Sequence, residues 1–229
     1  MNNGIPKSKS LFNDLLDLGI PLFTSDSNKD YGYIDAYLGI GLLWGWTATS
    51  GAPEADIDNF ASINIWLPGL VTFNYHMSKK FDVELGYGIG WNNYRKLDDK
   101  RFMLNSDKVV EMIDYPEGSK PDFSRIKVIS STMSLTGKYH FAKDAYLRVG
   151  PVFSFNDGLS VKTKYKDASG KKVIDKQNNP KANFFRMEWV ADVQYDDFGF
   201  FVKYSPKNVL RDGFGPQFST VSVGVSIGW

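Results

Sequence analysis

The chain contains no cysteine. That excludes disulfides, thiolate nucleophiles and cysteine-ligated metals. It also lacks any apolar run near the about 18 residues that a membrane helix requires, so crossing a bilayer by helices is excluded. Neither sign of charge dominates: 27 basic and 26 acidic residues leave a formal net charge of +1. A balanced charge gives no case for nucleic acid as a partner. Histidine is scarce, with only His76 and His140, and their spacing to carboxylates matches no metal site. Met1-Asn2-Asn3 has neither the basic nor the apolar region of a signal peptide. The expectation is a mature exported chain with a methionine added in front.

What the chain does have is alternation. In Phe81–Asn93, Phe81, Val83, Leu85, Tyr87, Ile89 and Trp91 take one parity, and Asp82, Glu84, Gly86, Gly88, Gly90 and Asn92 take the other. Side chains of a strand alternate across it, so this segment has one greasy face and one small or charged face. The Gly-x-Gly repeats lie within the strand and are no phosphate loop.

Seven more segments share the pattern: 31–46, 61–77, 125–141, 145–155, 184–195, 198–205 and 217–229. Pro68-Gly69 interrupts the second and predicts a bulge, because proline donates nothing to a strand ladder. The connections alternate long and short, with tight turns at Ser78-Lys79-Lys80, Ala142-Lys143-Asp144 and Asp196-Asp197. An even strand number with all long loops at one end predicts an all-β fold, an eight-stranded antiparallel up-and-down transmembrane β-barrel with short periplasmic turns and long extracellular loops. Mean hydropathy of −0.30 fits, since half of each strand faces a polar lumen. Residues 1–30 fall outside the pattern and read as an N-terminal periplasmic segment, with Ser10 capping a short helix over Leu11–Leu18. The barrel proper is 31–229.

Eight strands enclose a space that side chains fill or that holds one small ligand. Trp44, Trp91, Trp189 and the many Phe and Leu of the apolar set are too bulky for it, so that set points out into lipid. A lipocalin-like soluble barrel with a hydrophobic ligand is the inverted alternative. Outward aromatics gather near strand ends: Tyr75, Phe81, Phe141, Tyr195, Phe198 and Trp229 at the short-turn end, Trp44, Trp91 and Phe185 at the other. Such girdles sit at lipid headgroups. Inward positions collect Asp35, Asp82, Glu84, Arg148, Arg186, Glu188, Asp192 and Lys203. Buried charges are costly unless paired, so these predict a plugged lumen of ion pairs. Mixed signs speak against an ion-selective ring.

The segments GYGIGWNNYR (86–95) and SRIKVISSTMSLTGKYHF (124–141), with the terminal VSVGVSIGW (221–229), resemble the small outer-membrane β-barrels of the Bacteroidetes, the PorT-like group. The resemblance covers about 31–229. It implies the outer membrane of a Gram-negative bacterium and a role in transport or secretion, and brings no catalytic residue and no cofactor; adhesion through the loops is the further expectation.

The rival is an enzyme. His76-Met77-Ser78 is similar to a motif of lipid A deacylase barrels, with His76 activating Ser78 and Glu84 orienting. Here it falls on a short turn, away from the outer leaflet where lipid A resides. The preferred reading is a non-enzymatic barrel, acting through its loops or as accessory subunit of a membrane complex. The loops 94–124 and 156–183 are the expected contact surfaces. Lys-rich VKTKYKDASGKK (161–172) predicts a hairpin with Ser169-Gly170 at its tip, able to touch lipopolysaccharide. A protein partner through these loops or the N-terminal segment is the other expectation.

Overall fold

The computed structural model describes residues 20–24, 31–39, 41–97 and 100–228. The helix expected over 11–18 and the terminal Trp229 lie outside the described residues. In chain order the strands are β1 (Ile20–Thr24), β2 (Tyr33–Leu38), β3 (Leu42–Ser50), β4 (Asp58–Ser78), β5 (Phe81–Lys96), β6 (Lys100–Leu104) and β7 (Val110–Asp114). They continue with β8 (Lys120–Ala142), β9 (Ala145–Lys166), β10 (Lys172–Asn178), β11 (Phe185–Tyr195), β12 (Phe198–Ser205) and β13 (Ser219–Ile227). Among the described residues the only helical turn is a 3-10 turn at Pro53–Ala55.

The fold is a closed antiparallel barrel of eight staves. Chain neighbours pair from β4 through β5, β8, β9, β11, β12 and β13. Pairing of β13 with β3, and of β3 with β4, closes the cylinder. The first stave, expected as one strand over 31–46, is two: β2 and β3 lie against different parts of β4, at 72–76 and 63–66. Between them β4 bulges over Leu67–Val71, at the expected Pro68-Gly69. The bulge pushes carbonyls inward onto β5. A Cβ at Gly88 would overlap the carbonyl oxygens of Leu67 and Pro68, and one at Gly86 would sit 3.1 Å from the latter. The glycines of β5 are therefore room for the bulge of β4. β1 pairs with β2, so residues 20–24 join the sheet although they lie outside the alternating pattern.

The predicted loops are shorter than the sequence suggests, because several staves run on beyond the barrel wall. β5 reaches Lys96, β8 begins at Lys120 and β9 continues to Lys166. β9 and β10 form the hairpin expected around Ser169-Gly170, and it extends to Asn178; β6 with β7 makes a second one inside 94–124. Two register shifts hide the continuation, one between Pro121 and Phe123 and one where Ser130 and Ile129 face Asn156 and Gly158. Each inserts a residue and flips the parity of the strand beyond it.

Greasy residues cover the wall. Leu85, Tyr87, Ile89, Leu135, Val149, Trp189 and Phe200 are all exposed, the last 68%. The interior carries one thin apolar layer, Leu43, Trp66, Val152, Val190 and Phe201. A second, larger core lies at the long-loop end. There Phe102, Leu104 and Val110 of the β6–β7 hairpin pack with Tyr94, Ile126, Val128, Val161, Leu210 and Phe218. The hairpin is pinned to the inner face of the β8–β9 extension: the Phe102 amide donates to Ser124 Oγ (2.9 Å), and Thr163 Oγ1 donates to the Phe102 carbonyl (3.2 Å).

Candidate functional site

The eight inward charges fall into three clusters along the lumen. At the short-turn mouth, His76 on β4 lies between two carboxylates, with Nε2 3.0 Å from Asp35 and Nδ1 3.0 Å from Asp82. The other Asp82 oxygen is 2.8 Å from His140 Nε2. Higher up, Arg148 donates to Glu84 at 3.1 Å and to Asp192 at 2.7 Å, and Lys138 pairs with Glu84 at 3.1 Å. Ser226 and Gln194 donate to the two Asp192 oxygens. Above the apolar layer, Glu188 meets Arg186 (3.3 Å), Lys203 (3.4 Å) and Ser154 Oγ (2.8 Å). Glu84, Arg148, Arg186 and Asp192 have no exposed surface; Asp35 alone is partly open, at the mouth. Lys138, not among the eight expected charges, joins this set; it shares the parity of Ser134 and Thr136 in the segment 125–141. These groups pair with one another across the lumen.

The suggested nucleophile has no partner of the right kind. Both ring nitrogens of His76 are held by carboxylates, Ser78 Oγ accepts from the Lys80 amide at 3.3 Å, and Glu84 is engaged by Arg148 and Lys138. His76 instead stacks on Tyr33, 4.3 Å between ring centres. Among the described residues no group of three or more His, Asp or Glu is arranged to hold a metal ion.

The girdle residues have definite places. Tyr75, Phe141, Tyr195 and Phe198 are exposed around the two-residue turns, and Phe81 is half-buried there. At the other end, Trp44, Ile65, Trp91, Ile129 and Gly158 stand opposite one another in turn across β3, β4, β5, β8 and β9. Phe185 faces Phe155 across β11 and β9 and stacks on Phe153 at 6.2 Å.

Above that row the outer face changes character. The inner face of the β5–β8–β9–β10 extension is apolar, built from Ile126, Val128, Val161 and Tyr165. Its outer face is basic. Arg95, Arg125, Lys162 and Lys176 stand directly opposite one another on four neighbouring strands. Among the described residues none of the four has a carboxylate partner. Lys120, Lys166 and Lys172 form another opposed set further up. Between them lies Phe123, with Arg95 over its ring at 4.5 Å and Arg125 and Lys164 at 5.7 and 5.8 Å. Like charges directly opposite in a sheet destabilise it, so the arrangement is maintained against a local cost.

Three groups record that field. Desolvation, reinforced by the neighbouring cations, pushes the Lys127 ammonium below its ordinary pKa. Desolvation, then Arg95, lowers Arg125 likewise. Asp122, ion-paired with Lys164, is held below the usual carboxylate range, first by that hydrogen bond and then by the charges of Lys164, Arg95 and Lys172. This face is the candidate site. The sequence reveals a Lys-rich hairpin; only the register brings Arg95 and Arg125 to it.

No protein-family model matches the chain, and no curated protein matches it in sequence. Among solved structures it is similar to Ail, the attachment invasion locus protein of Yersinia pestis, at 10% identity and a TM-score of 0.36, covering 82% of this chain and 95% of Ail. The same protein in complex with the heparin analogue sucrose octasulfate matches with a TM-score of 0.31, at the same identity and coverage. Scores this low transfer neither ligand nor role.

Proposed function

We propose that the chain is a non-enzymatic protein of a Gram-negative outer membrane, a closed barrel that holds a folded, basic sheet above the bilayer to engage the anionic groups of surrounding lipopolysaccharide. The membrane reading is supported by the greasy wall, which is larger than the few hundred Å² of apolar patch on an ordinary soluble surface. Tight turns at one end and long excursions at the other give the orientation, with the extension outside the cell. The single observation that carries the function is the opposed row Arg95, Arg125, Lys162 and Lys176. Asp58 stands opposite Arg95 at the end of the row, where its Oδ1 accepts from the Phe60 and Ala61 amides; the four cations themselves attract a polyanion, and phosphate suits arginine forks and lysine points alike.

The PorT-like assignment belongs to the same reading and is supported by the three sequence segments above. The lipid-enzyme alternative has lost its geometric basis at His76, and the filled lumen favours a platform over a conduit. Accessory contact with a protein partner through the extension is a second use of the same surface.

The test is binding of the purified barrel, in detergent, to immobilised lipopolysaccharide, comparing the native chain with Arg125→Glu/Lys162→Glu. The charge-reversed form is expected to bind far more weakly, and native binding to decline with salt, since exposed charges are screened over about 8 Å at physiological ionic strength. Equal binding by both forms would remove the basic row from the function.

A further inference from the structure

The row Trp44, Ile65, Trp91, Ile129 ends at Gly158, whose missing side chain leaves a hole in the outer layer of side chains while the sheet beneath stays paired. An added Cβ on Gly158 would meet nothing within 4 Å. The hole opens into a surface cavity of about 350 Å³ whose lining includes Lys127, Ile129, Gly158, Ser160 and Lys176. Its cause is the register shift at Asp157, which places Gly158 opposite Ile129 and aligns Lys127, Ser160 and Asn178 just above. Its floor is thus apolar and level with the upper aromatics, and its roof is cationic.

We infer that this notch is a seat for one phosphate of an outer-leaflet glycolipid, with Lys127 and Lys176 as its two jaws. Lys127 is pre-positioned: its ammonium lies 4.2 Å from the centre of the Trp91 ring. The neighbouring carboxylate is tied to β8: Asp157 Oδ2 accepts from the Ser131 amide (2.8 Å) and hydroxyl (2.5 Å). Ser160 offers a hydroxyl between the jaws. A lipid is the source because the notch adjoins the greasy wall: Phe155, just below Gly158 on β9, packs with Phe184 and Phe185, the aromatic level at which headgroups lie. A phosphate carried on an acyl-bearing sugar reaches the jaws while its chains lie along the wall. The inference rests on the proposed membrane placement; it shares Lys176 with the basic row but not Arg95, Arg125 or Lys162. It assigns one defined lipid contact where the row provides a diffuse field.

Reconstituted full-length protein is treated with an amine-acylating reagent in vesicles of phosphatidylethanolamine containing either bis-phosphorylated lipid A or its dephosphorylated form, and labelling of Lys127 and Lys176 is read by peptide mass spectrometry. The phosphorylated lipid is expected to slow labelling of both lysines by about tenfold, the equivalent of one charge-assisted hydrogen bond, with no effect from the dephosphorylated lipid or from inorganic phosphate. Gly158→Phe fills the hole without altering any charge; protection should vanish in it while lipopolysaccharide retention by the upper row persists. Lys127→Gln, at an outward position, serves as the second variant and should abolish protection of Lys176. Equal protection by both lipids, protection by inorganic phosphate alone, or full protection in Gly158→Phe would overturn the assignment. If Arg125→Glu/Lys162→Glu keeps native lipopolysaccharide retention while notch protection persists, the row falls and the notch stands; if retention survives and protection is absent in the native chain, both fall.

Discussion

Arg148 joins Glu84, two staves away, at 3.1 Å, while its other terminal nitrogen holds Asp192 on the adjacent stave at 2.7 Å. One guanidinium therefore ties β5, β9 and β11 together inside the lumen, where none of the three groups reaches solvent. Replacing Arg148 with Met leaves two buried carboxylates short of a partner. The expected cost is about 3–5 kcal/mol, seen as a lower urea midpoint in detergent by tryptophan fluorescence. Adding Glu84→Gln should recover part of the loss, because the two changes share one interaction.

The closing seam predicts a second sensitivity. Gly45 and Gly224 face each other across β3 and β13, and a Cβ on Gly45 would come within 2.7 Å of the Val223 carbonyl carbon. The colliding atoms are backbone, so they cannot swing aside. Gly45→Ala should cost about 1–3 kcal/mol or more and lower the folded fraction by heat-modifiable gel migration. Gly158→Ala, with open space around it, is the neutral control.

The cap over the long-loop end should be separable from the barrel. Phe102 is 1% exposed and anchors the β6–β7 hairpin, so Phe102→Ala should cost the cap about 3–5 kcal/mol. Hydrogen exchange is expected to accelerate over 100–114 and to stay slow over 83–91. In planar bilayers neither form should conduct, because the lumen beneath is filled by ion pairs and by Trp66.

Acid should sharpen the basic face. Asp122 has a folded pKa below its unfolded one, so its pair with Lys164 contributes above the unfolded value, about 3.9, and is lost as pH falls through the folded value. The contribution of this ion pair to lipopolysaccharide binding is therefore expected to be constant in pH from about 5 to 8, where the ligand's own phosphates titrate, and to change only in stronger acid, as Lys164 is released. Asp122→Asn should give the stronger binding already at neutral pH, measurable by titration.

Much of this was legible in the residues. Phe81–Trp91 announces an outward face and an inward one, and the three tight turns fix which ends are joined closely. The Pro68-Gly69 bulge could be named in advance, although its match to Gly86 and Gly88 could not. The alternation over 125–141 also implies Lys138 inside, between outward Leu135 and Tyr139.

The sequence by itself determined the eight staves, the greasy exterior and the polar interior, because a strand's two-residue period is a local property that burial on one face enforces. Only the tertiary structure decided which cations became neighbours, how far β8 and β9 rise, and where the notch opens. Those depend on register, and register is set by bulges: a single inserted residue at Asp157 turns Lys162 outward beside Arg125 and leaves Gly158 facing Ile129, a consequence visible only when four strands are paired.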